Sequence, residues 1–203
     1  MFEVLTGAGL AVSAGVNAYI PLLVVGLSAR LLDFVSLPTG WRWLENPWVL
    51  GLLGLLLVIE FVADKIPVVD SVNDWIQTVI RPTAGGLAFG SGSTATTRVV
   101  SDPSAFFSDN QWVPIAAGVV LALAVHLGKA ASRPLLNTMT AGIAAPIASA
   151  AEDIGSVLTS LAAVLAPILV LVSFAGIVIL AVWLLRTTRK RRMAGPEGPA
   201  TRL

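Results

Sequence analysis

Cysteine is absent from the 203-residue chain, histidine occurs once, and charged residues make up only 12% of it. Without cysteine there is no disulfide, no thiolate metal site and no cysteine nucleophile, and the redox compartment goes unmarked. The scarcity of charge is equally restrictive. Soluble domains average about 25% charged residues, whereas this chain is 56% hydrophobic with a mean hydropathy of +0.84. Such a composition belongs in a bilayer. Enzyme signatures are missing as well: there is no GxSxG, no HExxH, no Cys/His pair and no Gly-Lys-Ser/Thr phosphate loop. The expectation is a protein that is not an enzyme and needs no cofactor, with a membrane hydrolase built on Ser or Asp as the catalytic option left open.

What charge there is lies unevenly. The segment from Arg186 holds Arg186, Arg189, Lys190, Arg191, Arg192 and Arg202, six of the 13 basic residues, against the single acid Glu197. The remainder carries seven basic and eleven acidic residues, a net of −4, a balance that leans towards cations or protons. Basic residues directly after a transmembrane helix are the positive-inside signal and place the C-terminus in the cytoplasm. Binding to anionic lipid headgroups is compatible with that role, and no nucleic-acid partner is needed to explain it. Residues 1–185 therefore read as one transmembrane domain and 186–203 as a basic, disordered cytoplasmic tail.

The first apolar segment, Val4 to Leu32, contains Asn17, Pro21 and Arg30. A signal peptide fits it poorly, because Glu3 stands where a basic n-region belongs and the apolar pattern continues to Leu32; it reads as a retained helix kinked near Pro21. Asp33 to Pro47 reads as a loop, with Trp41, Trp43 and Trp48 as an interfacial anchor. Trp48 to Lys65 is a second helix, long enough for the ~30 Å hydrocarbon core. Ile66 precedes proline and is biased out of the helical region. Pro67 can then open a new helix with Asp70 in its first turn, where the dipole favours an acid. The glycine-rich Thr83 to Ser93 reads as a flexible connector or as a re-entrant turn lining a cavity, and Thr94 to Gln111 as a solvent loop. Trp112 to Ala131 is the third span, after which Pro134 opens a short helix to Ala145. Ser149 and Glu152 make a capping-box pattern, so Glu152 and Asp153 read as caps of a fourth helix from about Ala150 to Arg186.

Ionisable residues enter two of these spans. At 100° per residue, Glu60, Asp64, Ser71, Asp74, Thr78 and Arg81 fall in one sector, and His126, Lys129, Arg133 and Asn137 share a face of the third span. An isolated Asp, Lys or Arg at the bilayer centre costs ~2.5–3.5 kcal/mol, so such residues face the interior and pair. The acidic face of the second helix is expected to pair with the basic face of the third. The functional reading is a pathway or site lined by Glu60, Asp64, Asp70, Asp74, His126, Lys129 and Arg133. Glu60 and Asp64 would take a cation or proton, His126 would relay or sense protons, and Lys129 with Arg133 would balance charge. The plainer reading is an inert salt-bridge network with the two long cations partly snorkelling. Buried ion pairs are a poor source of stability, which favours function. A metal on Glu60, Asp64 and His126 is not required, and Lys129 and Arg133 would compete with it.

The second and third spans share a plan of apolar run, ionisable residues, proline and short helix, seen in LLLVIEFVADKIPVVD and ALAVHLGKAASRPLLN. A duplication would resemble transporters whose broken helices meet at the midplane. A competing alignment of AVSAGVNAYIPLL with AVHLGKAASRPLL conflicts with it, so neither establishes a repeat.

The stretches GVNAYIPLLVVGLSAR from Gly15, IEFVADKIPVVDSVNDWIQTVIRPTAGG from Ile59, HLGKAASRP from His126 and SAAEDI from Ser149 resemble the domain-of-unknown-function family 4126, small multi-span membrane proteins of bacteria and some plants. The resemblance implies a membrane architecture and a bacterial plasma-membrane location, and it supplies no reaction or substrate. Its motif positions here are Glu60, Asp64, Lys65, Pro67, Asp70, Asp74, Arg81, Pro82, His126, Lys129, Arg133, Glu152 and Asp153. Asn17, Pro21, Pro134 and Ser149 of the same stretches read as structural.

The sequence thus predicts an all-α integral membrane protein with about four full transmembrane helices, plus two short broken or re-entrant helices after Pro67 and Pro134, and both termini cytoplasmic. The expected function is a transporter or channel for a small ion or polar solute, with proton coupling an option. The alternative is a non-transporting scaffold or subunit whose charges are structural. The expected partners are the lipid bilayer and, because four spans are few for a self-contained pathway, a second copy of the chain.

Overall fold

The computed structural model describes residues 2–33, 35–65, 67–92, 110, 112–140, 145–167 and 169. Among them every regular element is helical: α1 (Phe2–Val16), α2 (Tyr19–Leu31), a 3-10 segment (Thr39–Glu45), α3 (Pro47–Ala63), α4 (Pro67–Gly92), α5 (Trp112–Thr140) and α6 (Ala145–Leu165). By length and composition two of these can cross a membrane, within Trp112–Arg133 and Pro146–Leu165. The 3-10 segment and α3, bent by 61° at their junction, make a third candidate if taken as one span.

Several boundaries follow the local chemistry. Asn46 accepts the Trp48 N–H at 2.9 Å and Pro47 occupies the first turn of α3, a side-chain cap followed by a residue with no donor to satisfy. The stop before Pro67 lies where the sequence puts it, with α3 ending at Ala63 and α4 beginning at Pro67. The first apolar segment breaks at Asn17 rather than bending at Pro21. Asn17 Oδ1 accepts the N–H groups of Tyr19 and Ile20 at 3.1 and 3.2 Å, supplying the acceptor that a new helix start needs. Pro21 then falls in the first turn of α2, where its missing N–H costs nothing.

Other expectations give way. Thr83 to Gly92 is neither connector nor re-entrant turn but the last part of α4, with Pro82 inside the helix. The glycines there serve packing. A Cβ on Gly118 would strike the carbonyl oxygen of Gly85, and one on Gly85 would strike Ala122, so α4 and α5 cross in backbone contact. No short helix opens at Pro134, because α5 runs through it to Thr140, and the shared plan of the two spans therefore does not extend to a shared break. α6 begins at Ala145, which leaves Ser149 inside the helix and removes the capping box. Trp41 is buried against Gly90 and leaves only Trp43 and Trp48 exposed as anchors. The loop to Gln111 falls outside the described residues except for Asn110, as do Ile66, the chain from Val170 to Arg186 and the tail 186–203.

The cross-helix contacts give the topology. Thr78 and Arg81 meet His126 while Gly90 lies against Ile115, so α4 and α5 are antiparallel. α1 is the central helix: Gly7 faces Phe89 of α4, Gly15 faces Val125 of α5, and Ser13 and Asn17 meet Ser160 and Asp153 of α6. Its C-terminal end therefore lies among the ionisable residues, and Gly7 and Leu10 nearer its N-terminal end lie beside Gly92 of α4.

Candidate functional site

Two turns of α3, α4 and α5 bring the buried charges together. Glu60 and Arg81 pair at 2.9 Å with both side chains almost fully buried. The guanidinium has only donors, so its second contact, Nη1 at 3.1 Å from His126 Nδ1, makes Nδ1 an acceptor. The ring hydrogen is thereby on Nε2, where it donates to Thr78 Oγ1 at 3.0 Å, and the threonine hydroxyl donates to the Asp74 carbonyl oxygen at 2.8 Å. His126 is held as a neutral imidazole with both nitrogens occupied.

A second set lies one turn further towards the helix ends. Asp64 accepts from Asn73 at 3.0 Å through one oxygen, and its other oxygen lies 3.4 Å from Arg133 Nη2 and 3.7 Å from Lys129 Nζ. The same two cations reach Glu152 at 2.9 Å each, and Lys129 also donates to the Val16 carbonyl oxygen at the C-terminus of α1. Asp153 accepts from Asn17 Nδ2 at 3.0 Å and borders a mainly apolar cavity of about 300 Å³ with Ile20, Leu57, Phe61 and Val157. Asp64 and Glu60 are one turn apart on α3, so the two sets form one track running from Asp74 to Asp153.

The expected pairing of α3 acids with α5 cations is present for Asp64. Glu60 instead uses Arg81, which the sequence places in the polar sector with Glu60 and among the motif positions but not among the residues lining the pathway. Glu152 and Asp153, expected as helix caps, belong to the ionic track. Lys65 lies over the Phe61 ring, 3.5 Å from its centroid. Asp70 falls in the first turn of α4; its side chain, with those of Pro67, Pro134 and Asn137, lies outside the described residues. Among the described residues no three His, Asp or Glu side chains converge as metal ligands, and cations occupy the carboxylates instead.

Sequence reasoning missed Asn73, Gln77 and the serines Ser13, Ser156 and Ser160. Gln77 stands three residues after Asp74 and four before Arg81, and Ser13 four before Asn17. On α6, Ser149, Glu152, Asp153, Ser156 and Ser160 recur at spacings of three and four. That helical period of polar residues was the available signal. Glu60 Oε2, Asp74 Oδ1, Gln77 Oε1 and Arg81 Nε are buried atoms without a hydrogen-bond partner among the described residues.

The family model described as "Domain of unknown function (DUF4126)" matches residues 4–187. The chain belongs to this family. The match takes in every residue of the DUF4126 track, from Asn17 after α1 to Asp153 on α6. No curated protein and no solved structure matches the chain.

Proposed function

We propose that this DUF4126 protein is an integral membrane transporter or channel for a small ion or polar solute, with no enzymatic reaction of its own. One observation carries the reading: on the buried track from Asp74 to Asp153, Glu60 Oε2, Asp74 Oδ1, Gln77 Oε1 and Arg81 Nε have no hydrogen-bond partner among the described residues. Buried polar groups without protein partners are satisfied by water or solute, and a membrane interior offers neither unless a path leads to them. Charges at that depth mark ion and proton pathways in membrane proteins. In this reading about four full spans cross the bilayer, the basic segment after Arg186 holds the C-terminus in the cytoplasm, and a second copy completes the assembly.

A specific observation favours a second reading. The contacts of Glu152 with Lys129 and Arg133 at 2.9 Å close the charges on one another, as a non-transporting scaffold would need. Flux separates the two. Protein reconstituted in liposomes is tested against protons, common monovalent cations and small anions, with Asp64→Asn beside wild type. Transport predicts flux of at least one species, reduced on the order of tenfold or more by Asp64→Asn. A wild type that moves nothing across the panel leaves the scaffold.

A further inference from the structure

Ser13 of α1 and Ser156 and Ser160 of α6 are fully buried and join their hydroxyls across the helix interface. Ser13 Oγ lies 2.6 Å from Ser156 Oγ, 2.7 Å from Ser160 Oγ and 2.9 Å from the Ser156 carbonyl oxygen, while Ser156 Oγ reaches the Ser13 carbonyl oxygen at 3.3 Å. Three hydroxyl hydrogens thus serve four links. No arrangement fills all four at once, several fill three, and rotation of a hydroxyl interchanges these arrangements.

The cluster is continued at both ends. One turn along, Asn17 after α1 and Asp153 on α6 meet at 3.0 Å; a turn is about 5 Å of rise, a gap that one water bridges. Beyond Asp153 come Glu152 and the cations of the ionic track. In the other direction, Leu10 and Val164, one turn from Ser13 and Ser160, line a cavity of about 250 Å³ shared with Thr6, Ser36 and Ser91. From Ser149 to Ser160 the polar face of α6 covers about 16 Å, roughly half of a ~30 Å hydrocarbon core, and the cavity begins where that face ends.

We propose that the ion moving through this protein is the proton, and that the Ser13, Ser156 and Ser160 hydroxyls carry it between the cavity and Asp153. This rests on the transport reading and names its substrate. Oxygens 2.6 and 2.7 Å apart leave no gap that a metal cation or an anion can enter, yet that separation suits proton transfer along O–H···O bonds. At each serine an arriving proton bonds to an oxygen lone pair while the resident O–H bond breaks towards the next oxygen. One proton leaves for each that enters, and no electron changes hands. Water in the cavity is the donor at one end and the Asp153 carboxylate the acceptor at the other. Rotation of the hydroxyls restores the starting arrangement, and buried Leu10 is the apolar constriction between cavity and column.

The test uses the full chain in liposomes holding a pH-sensitive dye, with potassium and valinomycin setting the voltage. Ser13→Ala and Ser156→Ala should each lower proton flux on the order of tenfold or more, Ser13→Thr should retain it, and Leu10→Ser should raise it. Circular dichroism of each variant separates a lost path from a lost fold, and recovery in Ser13→Thr ties the effect to the hydroxyl. Protons moving equally in wild type and in folded alanine variants would reduce the column to glue and overturn the proposal, leaving transport intact. Flux of another species without protons would do the same. A wild type that moves neither protons nor any other species removes the transport reading together with the proposal.

Discussion

At the scale of single residues, the Glu60 and Arg81 pair decides most. Neither side chain reaches solvent, so removing one partner leaves the other charged without compensation. Arg81→Ala should lower stability by about 3–5 kcal/mol, the usual loss on breaking a buried pair, whereas Glu60→Met with Arg81→Met should recover most of it. Chemical denaturation in detergent micelles reads both; a double variant as unstable as the single would mean that pairing is not what Arg81 contributes. Flux measured on the folded double variant then asks what the pair does beyond stability. The importance of Glu60 was legible in the sequence from cost alone, since an acid inside an apolar run must have a reason. Its partner was not, because Arg81 follows 21 residues later and helical periodicity assigns faces without saying which faces meet.

At the scale of elements, the crossing of α4 and α5 depends on two hydrogens. Gly85 and Gly118 allow backbone contact that any Cβ would prevent, so Gly118→Val must push the helices apart and should cost several kcal/mol, in the range of overpacked cores or more. The expected readout is a lower melting temperature and a loosened Arg81 to His126 contact, followed by the His126 ring resonances; unchanged stability would show that the crossing can yield. Asn17 offers a second check. Its carbonyl caps α2 while its amide holds Asp153, and a lost cap alone costs about 1 kcal/mol. Asn17→Ser, which restores a capping acceptor without the reach to Asp153, should keep more stability than Asn17→Ala. These elements explain the uneven legibility of the fold. Proline and asparagine act locally, and the stop before Pro67 was readable from sequence. The continuation of α4 through glycines and of α5 through Pro134 is imposed by neighbouring helices, which local propensity does not see.

At the scale of the whole molecule, the ionisable residues gather at one end of the helix set and the cavity with Thr6, Ser36 and Ser91 at the other. The absence of cysteine makes this easy to test, because every introduced thiol is the sole target. Ser132→Cys at the ionic end and Ser36→Cys at the cavity end should be labelled by an impermeant maleimide from opposite sides of the membrane. Labelling of both from one side would place the track parallel to the bilayer and defeat a through path. The crossing of Gly85 and Gly118 has one more consequence in such an arrangement. The two rods meet along a seam from Arg81 and His126 to Gly90 and Ile115, and the backbone contact of Gly85 with Gly118 within it is the fulcrum about which they can tilt like a rocker. Arg81 lies about 6 Å and His126 about 12 Å along the rods from that point. A tilt of about 10° therefore moves His126 by about 2 Å, enough to break a hydrogen bond, while the far arms near Gly92 and Trp112 swing the opposite way.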